Sequence, residues 1–422
     1  MKYLEMSKSE LEKELEKEKK IYEGFLERKL KLNMARGKPD EDQLDISVDM
    51  YSGVPSPISE DGTDCRNYGL LDGISEAKKL FADILEAPAE NVIVCGNSSL
   101  NLMFDTIARS MLFGSYKGAI PWMKQEKIKF LCPVPGYDRH FAITETFGIE
   151  MINVPMTPEG PDMDIVEKYV ESDPAVKGIW CVPKYSNPDG YTYSDRTVRR
   201  FARLKPAADD FRIFWDNAYV VHDLYDEGDR LLSIYDEAKA AGNENIFIMF
   251  ASTSKITFPG SGISAIVSGK ENIDFIKSIM TVQTIGHDKM NMLRHVNFLR
   301  NINGVRAHMK RHAEILRPKF KAVLDAFESE LSDLPNTSWT TPRGGYFITL
   351  YLDSFCARRT FELCKNAGVT LTNAGATFPY GKDPEDRVLR IAPTFPPVSE
   401  LKIAVSVLVC AAKIATIEKL IK

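Results

Sequence analysis

Five short apolar runs recur along residues 76–270, and they limit what this chain can fold into more than any other feature. They lie at residues 92–95, 128–132, 179–182, 213–215 and 246–250, with helical or loop-like stretches between them. Repeated strand and helix units of this kind are typical of an α/β domain with a mostly parallel sheet. We therefore predict a large domain built on such a sheet, with helices packed on its faces.

The remaining chain predicts a second, smaller α+β unit. A long helical region covers residues 291–331, and strands at 345–350 and 388–391 alternate with helices near 359–367 and 400–420. At the start of the chain, Ser7-Lys-Ser-Glu10 has capping-box spacing and opens a charged amphipathic helix, which we expect to reach about residue 32. Residues 33–75 are rich in Gly, Pro and Asp, which predicts an extended loop.

The length of 422 residues exceeds what one hydrophobic core usually supports, so we predict more than one domain. Residues 1–60 would supply the N-terminal helix and an extended segment that packs with the small domain. Residues 61–310 would form the large domain, and residues 311–422 the small C-terminal domain.

Charge and cysteine content exclude several kinds of partner. The formal net charge of -5 argues against nucleic acid, since phosphate binding needs a basic face. The seven cysteines contain no Cys-x-x-Cys pair, which indicates free thiols in a reducing compartment and no metal site. The start lacks an apolar signal core, and the longest apolar run near the C-terminus is too short to span a bilayer. We therefore expect a cytoplasmic protein with no membrane partner.

Polar residues follow the predicted strands at the edge where such sheets bind ligands. Five strand ends carrying compatible groups are more specific than any single motif. The residues are Asn97-Ser-Ser99, Tyr137, Asn187, Asp216 and Ser252-Thr-Ser-Lys255.

Lys255, Asp216 and Tyr219 together suggest a site for pyridoxal phosphate (PLP). A lysine amine forms a Schiff base with the cofactor aldehyde, an acid holds the ring nitrogen protonated, and a phenol hydrogen-bonds the ring oxygen. Taken singly, a lysine is usually at the surface, and Asp216 suits the N-cap of the following turn. Lys255, however, follows a buried-looking strand and lies among small residues that leave room for a bulky cofactor.

The other polar residues have supporting interpretations and ordinary alternatives. Asn187 would share the ring oxygen, although Asn-Pro-Asp-Gly is also a turn in its own right. The segment 96–100 joins a strand to a helix, where backbone N–H groups bind phosphate, unless Ser98 only caps the helix. Tyr137 would stack on the ring or serve as a structural aromatic. Arg390 suits the substrate carboxylate through its planar fork, or a structural ion pair.

The order of these residues resembles that of the fold-type I PLP-dependent aminotransferases over nearly the whole chain. The lysine motif over residues 253–260 reads Thr-Ser-Lys-Ile-Thr-Phe-Pro-Gly, which is similar to that of a subgroup of bacterial aspartate aminotransferases. The positions that carry the resemblance are Tyr68, Asn97-Ser-Ser99, Tyr137, Asn187-Pro-Asp-Gly190, Asp216-x-x-Tyr219, Ser252-x-Ser-Lys255 and Arg390.

The resemblance implies a role for each matching residue. Lys255 would be the Schiff-base lysine and the base for the proton shift, and Asp216 would contact the pyridinium nitrogen. Tyr219 and Asn187 would contact the ring oxygen, with Tyr137 stacked on the ring. The implied substrate-binding residues are Gly37, Asn187 and Arg390. The implied ligands on the phosphate side are Asn97, Ser98, Ser99, Ser252 and Ser254. Tyr68 would reach the phosphate of a neighbouring subunit, which implies a homodimer with shared sites.

The sequence departs from the family pattern at two places. Ile263 stands where many members carry a phosphate-binding arginine, eight residues after the lysine. The arginine that binds the distal carboxylate in some relatives has no clear counterpart. The unranked candidates for that role are Arg36, Lys38, Arg139, Lys184 and Lys289. The resemblance nevertheless implies amino transfer from L-aspartate to 2-oxoglutarate, with a small amino acid and a 2-oxo acid as partners.

Three other functions fit part of the sequence. A β-lyase, decarboxylase or aminocyclopropane-carboxylate-type lyase would use the same lysine, acid and tyrosine. A non-catalytic regulator would fuse a winged helix-turn-helix to an aminotransferase-like domain. The segment before the α/β part, about 60 residues long, is too short for that module and a linker, and it is not basic. Ser252-Thr-Ser-Lys255 also fits the Ser-x-x-Lys of penicillin-binding acyltransferases, whose Lys-Thr-Gly is absent from this sequence.

Overall fold

The computed structural model describes residues 3–422, in which one large sheet and two small sheets are surrounded by helices. Within these residues the α-helices are α1 (Lys8–Glu27), α2 (Glu41–Asp45), α3 (Ser75–Leu85), α4 (Ser99–Phe113), α5 (Asp138–Thr146), α6 (Met163–Ser172), α7 (Asp195–Ala202), α8 (Ile234–Ala240), α9 (Lys270–Gln283), α10 (Lys289–Leu299), α11 (Ile302–Leu331), α12 (Ala357–Asn366) and α13 (Val398–Ile421). The strands are β1 (Leu32–Asn33), β2 (Val92–Cys95), β3 (Lys129–Val134), β4 (Glu150–Thr157), β5 (Gly160–Pro161), β6 (Val176–Cys181), β7 (Arg212–Asp216), β8 (Phe247–Ser252), β9 (Ser264–Ser268), β10 (Ser338–Trp339), β11 (Ile348–Tyr351), β12 (Val369–Thr370) and β13 (Val388–Ile391).

The large sheet has eight strands in the order β2-β9-β8-β7-β6-β3-β4-β5. Strands β8, β7, β6, β3 and β4 are parallel to one another, whereas β9 runs antiparallel between β2 and β8. Every residue of β6 and β7 is buried, as expected for central strands covered by helices on both faces. The predicted α/β unit with a mostly parallel sheet is confirmed.

The five predicted strands are present as β2, β3, β6, β7 and β8, with small differences at their ends. Three further strands of the large sheet, β4, β5 and β9, were not predicted, and β5 has only two residues. Strand β4 alternates buried and exposed residues near the sheet edge, so it lacks a continuous apolar run. Strand β9 has only three apolar residues, which lie between two serines.

The second unit contains the predicted mixture of helices and antiparallel strands. Strand β11 pairs antiparallel with both β10 and β13, which places Thr349 opposite Arg390. Apolar side chains of α1, α12, α13 and the second half of α11 share one core with these strands. The predicted helix over residues 291–331 is in fact two helices, because Arg300 has a positive φ of 63° and Asn301 caps α11.

The segment after α1 carries the chain across the strand ends of the large sheet. Ser7 forms the predicted capping box, but α1 ends at Glu27 rather than near residue 32. The Met34 N–H donates to the Thr370 carbonyl at 2.8 Å, and the Met34 carbonyl accepts from Ala392 N–H at 3.1 Å. Residues 34–38 are thereby held beside the small sheet and over the large one. No helix within residues 3–422 is long and apolar enough to cross a bilayer.

Candidate active site

A cavity of about 560 Å³ opens at the carboxyl ends of β6, β7 and β8, where the N-terminus of α4 also points. Residues 35–38 and the end of β13 close its other side. The predicted site residues that line this cavity are Gly37, Ser98, Ser99, Tyr137, Asn187, Asp216, Tyr219, Ser252, Ser254, Lys255 and Arg390. Residues far apart in sequence are thus brought to one place, as the strand-end argument required.

Asp216 is the last residue of β7 and is only 2% exposed. Its Oδ2 atom lies 3.0 Å from His140 Nε2, and the His140 ring stacks on Trp180 with a centroid distance of 4.4 Å. Its Oδ1 atom is buried without a hydrogen-bond partner among the described residues. A buried carboxylate oxygen without a donor is costly, so this oxygen is suited to accept from a ligand N–H in the cavity.

Lys255 lies just after β8, in a turn that lines the same cavity as Asp216. Its Nζ is 4.8 Å from the centroid of the Tyr219 ring. Burial lowers the pKa of the Lys255 amine, and the Asp216 carboxylate opposes this effect. A lowered pKa makes the neutral, nucleophilic amine more accessible near neutral pH. Burial raises the pKa of Tyr219 well above its usual value, so its phenol remains a hydrogen-bond donor.

The serine end of the cavity has the properties of a phosphate site. Ser98 caps α4, its Oγ accepting from Leu100 N–H at 3.2 Å, so the ordinary cap interpretation also holds. The Ser252 hydroxyl donates to Ser254 Oγ at 3.0 Å, and the Ser254 hydroxyl donates to the Asn97 carbonyl at 3.2 Å. Hydroxyl groups beside the positive end of a 15-residue helix favour an anion.

Arg390 forms the opposite end of the cavity and is buried on β13. Its Nη1 donates to Asp138 Oδ1 at 2.8 Å and to Asn187 Oδ1 at 3.1 Å, and its Nε and Nη2 lie 3.4 and 3.3 Å from Thr372 Oγ1. The ion pair considered in the sequence is therefore present. The same guanidinium lines the cavity, so it is also placed to meet a carboxylate there.

Gly37 lines the cavity and packs closely against the ring of Phe347. A Cβ atom at position 37 would lie 2.5 Å from Phe347 Cζ, closer than real side chains come. The face of the Phe347 ring lies 4.9 Å from the Arg390 guanidinium carbon. Any larger residue at position 37 would therefore displace the ring that packs against Arg390.

Two predicted site residues lie apart from this cavity. The Asn97 side chain turns away and donates to the Pro259 carbonyl at 3.2 Å, although its backbone carbonyl meets Ser254. Tyr68 is 82% exposed and lines a separate surface depression with residues 286–290.

The structure separates the five cationic candidates for binding a distal carboxylate into two groups. Lys184 pairs with Asp223 at 2.9 Å, and Lys289 donates to the Gly69 carbonyl at 2.9 Å, both away from the cavity. The remaining three, Arg36, Lys38 and Arg139, line the cavity mouth. Within residues 3–422 none of these three forms an ion pair, and all are exposed. The Lys38 ammonium lies over the Phe395 ring, 3.8 Å from its centroid, and no carboxylate of the described residues pairs with any of the three charges.

Three residues of the site were missed in the sequence. His140 supports Asp216, Asp138 pairs with Arg390, and Thr372 contacts the same guanidinium. His140 lies three residues after Tyr137, which is the N-cap of α5, and the two rings meet edge to face with their centroids 4.9 Å apart. That spacing was an available signal. Thr372 lies in an irregular segment after β12, and no sequence pattern marks it.

The cavity fits pyridoxal phosphate at each end of the molecule. The partnerless Asp216 oxygen suits a pyridinium N–H, and the Tyr219 phenol suits the ring oxygen. The serine hydroxyls and the α4 N-terminus suit the phosphate, and Lys255 lines the same cavity. This donor set matches the chemistry of the cofactor.

Comparison with known proteins gives the family. Residues 6–422 match the model of the family described as aspartate amino-transferase. An aspartate aminotransferase of Corynebacterium glutamicum is 46% identical over 388 residues, which are 92% of this chain and 90% of that protein. The crystal structure of an aspartate transaminase from Corynebacterium glutamicum has a TM-score of 0.96 at 43% identity, covering 99% of each chain.

A more distant structure shows the same fold. LysN, the α-aminoadipate aminotransferase of Thermus thermophilus complexed with N-(5'-phosphopyridoxyl)-L-leucine, has a TM-score of 0.73 at 20% identity and covers 90% of this chain and 92% of that chain. The fold and cavity thus define a PLP-dependent aminotransferase of fold type I. The chain belongs to the aspartate aminotransferase family. The predicted resemblance, enzyme class and cofactor are confirmed.

Proposed function

We propose that this enzyme transfers the amino group of L-aspartate to 2-oxoglutarate in the cavity around Lys255. The observation that carries the proposal is the placement of Lys255, the partnerless Asp216 oxygen and three unpaired cations around one cavity. The first two suit the cofactor, and the cations suit dicarboxylic substrates. The Corynebacterium glutamicum relatives named above, described as an aspartate aminotransferase and an aspartate transaminase, support the same substrate.

The residues at the floor of the cavity would hold the cofactor. Bound pyridoxal phosphate supplies an electron sink that stabilises negative charge at the substrate α-carbon. Asp216, supported by His140, would keep the ring nitrogen protonated, because a carboxylate favours the cation beside it. Tyr219 and Asn187 would hold the ring oxygen, and the Tyr137 ring would cover one face.

Lys255 would be the attachment point of the cofactor and the group that moves the substrate α-proton. Its amine lies at the cavity floor, and its pKa is lowered by burial, so a neutral form can accept a proton. The hydroxyls of Ser98, Ser99, Ser252 and Ser254 would hold the phosphate, together with the backbone beside Asn97.

The opposite end of the cavity would bind the substrate carboxylates. Arg390, oriented by Asp138 and Asn187, would hold the α-carboxylate beside the backbone of Gly37. The exposed cations at the mouth, Arg36, Lys38 and Arg139, would meet the distal carboxylate of aspartate or 2-oxoglutarate. These three cations could take the place of the arginine that binds the distal carboxylate in some relatives, which has no clear counterpart in this sequence.

A homodimer with shared sites belongs to the same proposal. Tyr68 is exposed and points away from the cavity of its own chain, as a residue serving the neighbouring subunit would. Val282 and Ile285 also expose apolar side chains (85% and 61%) close in sequence to that depression. We expect light scattering to give twice the monomer mass and Tyr68→Phe to weaken cofactor binding. A monomer that keeps full activity would contradict this arrangement.

The cytoplasm is the location we propose, because all seven cysteines are buried as free thiols, the state that a reducing compartment maintains. The domain boundaries at residues 60 and 310 are also a proposal. Leu316 and later apolar residues of α11 belong to the core of the small unit, whereas Val305 and Met309 belong to that of the large sheet. Tyr3 and Leu11 join the small unit's core.

The proposal is tested by absorbance spectra of the purified enzyme before and after L-aspartate is added without a 2-oxo acid. A yellow band that is lost as oxaloacetate appears would support both the cofactor site and the substrate. A yellow enzyme that does not respond to aspartate would refute the substrate. Lys255→Ala should remove turnover, and full activity in that variant would refute the site.

A further inference from the structure

The two backbone carbonyls that follow the Lys255 side chain are held by side chains rather than by secondary structure. The Ile256 and Thr257 N–H groups both donate to the Thr253 carbonyl at 2.9 Å, which forms a tight turn around Lys255. The carbonyls of Lys255 and Ile256 instead accept hydrogen bonds from residues of three distant segments. Buried carbonyls must be satisfied, so these side chains determine how the Lys255 turn is seated.

The Ile256 carbonyl accepts from two imidazoles. His308 Nε2 lies 2.7 Å from this oxygen, and His312 Nε2 lies 2.9 Å from it. The two histidines are four residues apart on α11, so they share one face, and their ring centroids are 4.9 Å apart. Because a carbonyl oxygen has two lone pairs, both imidazoles can donate to it at once.

The Lys255 carbonyl has two donors of its own. His222 Nε2 lies 3.2 Å from this oxygen, and the Tyr346 hydroxyl lies 3.5 Å from it. His222 follows β7, whereas Tyr346 precedes β11 in the small unit. The peptide groups on the C-terminal side of the lysine are therefore tied to both units of the fold.

Gln43 joins these donors into one cluster. Its Oε1 accepts from the Asp40 N–H in the capping box of α2, at 3.4 Å, which turns the amide nitrogen towards the interior. The Gln43 Nε2 group then donates to His312 Nδ1 and to the Tyr346 hydroxyl, both at 3.0 Å. His312 Nδ1 must therefore be an acceptor, so its proton is on Nε2 and points at the Ile256 carbonyl.

The cluster is buried and electrically neutral. Gln43, His312 and Tyr346 are at most 1% exposed. Burial, with a smaller contribution from the neighbouring His308, lowers the pKa of His312 to about 3. A proton on His312 Nδ1 would face the Gln43 N–H group, so the geometry by itself requires the neutral ring.

Asp40, which caps α2, is bonded to Lys319, and Lys319 Nζ donates to the Thr394 carbonyl at 2.7 Å.

We propose that Gln43, His308, His312 and Tyr346 are positioning residues for Lys255: they fix the turn that carries its amine, and they tie that turn to the N-terminal segment. This inference rests on the proposed role of Lys255. The same segment supplies Arg36, Gly37 and Lys38 to the cavity mouth, so the substrate end and the lysine are held by one continuous piece of chain. Misplacement of a reacting group by about 1 Å costs about a hundredfold in rate, which gives this seating its functional weight.

The test compares His312→Leu and Tyr346→Phe, which remove donors, with His312→Gln, which keeps a side-chain N–H. Val323→Ala is the matched control, because Val323 is fully buried on α11 but belongs to the core of the small unit. Each protein is loaded with pyridoxal phosphate. The pH midpoint of its visible absorbance, kcat, KM for L-aspartate and the melting temperature are measured, together with amide exchange of residues 253–257 in the cofactor-free protein.

We expect His312→Leu and Tyr346→Phe to lower kcat about tenfold with KM changed less than about threefold. The absorbance midpoint should move by about half a pH unit, because the lysine nitrogen titrates in a changed position. Amide exchange in residues 253–257 should accelerate. His312→Gln should restore most of kcat, and Val323→Ala should lower only the melting temperature.

Two outcomes separate this inference from the proposed function. Parent-like kcat, midpoint and exchange in Tyr346→Phe and His312→Leu would overturn the positioning role and leave Lys255 in place. If His312→Leu does not fold, Tyr346→Phe and His312→Gln decide the matter on the same measurements. A Lys255→Ala variant with the parent's visible band and turnover would overturn the proposed site, and the positioning role with it.

Discussion

Asp189 offers the clearest link between this structure and a measurable pH dependence. It is 1% exposed in the loop after β6, and its Oδ1 accepts from the Tyr351 hydroxyl at 2.7 Å. Its Oδ2 is buried without a partner among the described residues. Burial raises the pKa of Asp189 from 3.8 to about 6, although the hydrogen bond from the Tyr351 hydroxyl acts in the opposite direction. Ionisation of Asp189 therefore lowers the free energy of unfolding.

The sign and size of the effect follow from linkage. A folded-state pKa above the unfolded value means that the folded state binds the proton more tightly. The associated stability is fully present below pH 3.8 and is lost as the pH rises through about 6. The full loss corresponds to about 3 kcal/mol, of which about 1.4 kcal/mol falls between about pH 5 and about pH 8.

Asp189→Asn imitates the protonated acid at every pH. We expect the variant to gain about 1.4 kcal/mol relative to the parent between about pH 5 and about pH 8. For a chain of 422 residues, we use an unfolding entropy of about 2.1 cal/mol/K per residue. The melting temperature of the variant minus that of the parent should then rise by about 1.5 °C between about pH 5 and about pH 8. Differential scanning calorimetry of the cofactor-loaded enzymes at both pH values measures it.

Asp353→Asn is the matched control. Burial opposes ionisation of Asp353, but bonds from Lys419 and Asn336 hold the pKa of this carboxyl below its usual value. Its stabilising contribution is present above pH 3.8 and is lost only as the pH falls below that value. Asp353→Asn should therefore cost the same at both test values. A melting difference for Asp189→Asn that does not change with pH would refute the reasoning.

Three further substitutions, the last with a matched control, test other contacts. Arg390→Ala should weaken the binding of every amino-acid substrate by about 1.5–3 kcal/mol, the contribution of hydrogen bonds to a charged group, and should raise KM accordingly. Unchanged steady-state KM values would contradict its role. Arg139→Ala should raise KM for L-aspartate but not for L-alanine, so an equal change for both would remove it from the distal site. Lys319→Met should cost about 3–5 kcal/mol in denaturant unfolding, because it leaves Asp40 buried and unpaired. Lys321→Met, which breaks an exposed pair on the same helix, should cost less than about 1 kcal/mol, and equal losses would refute the argument.

The sequence predicted the elements that a continuous apolar run or a strict spacing specifies. The run at residues 213–215 and the acid that follows it indicated both β7 and the position of Asp216. Parallel strands end at the same edge, so residues from β6, β7 and β8 were expected to meet without knowledge of any contact. The capping box at Ser7 was found in the same way, since the spacing itself states the hydrogen bonds.

Features that depend on long-range packing could not be predicted. The break between α10 and α11 arises where Arg300 takes a positive φ. Gly304 is required there, because a Cβ at that position would lie 1.9 Å from the Leu299 carbonyl oxygen, but a single glycine in a helical pattern does not by itself indicate a break. The contact between Gln43 and His312 joins residues 269 apart in the chain, and either residue alone looks like an ordinary polar residue on a helix. Satisfaction of the buried Lys255 and Ile256 carbonyls is a property of the folded chain, and local sequence carries no trace of it.

Ile263 shows why a departure from the family pattern need not weaken the site. Its side chain is 1% exposed within the core beneath the large sheet, and its N–H and carbonyl both bond to Thr253, at 3.0 and 2.8 Å. A charged side chain placed there would be buried among apolar groups at a cost of several kcal/mol. The backbone of residue 263 holds Thr253, two residues before Lys255, and these two bonds do not depend on the side chain at position 263. Under the proposed roles, the phosphate charge is then met by the positive end of α4 and the serine hydroxyls beside it.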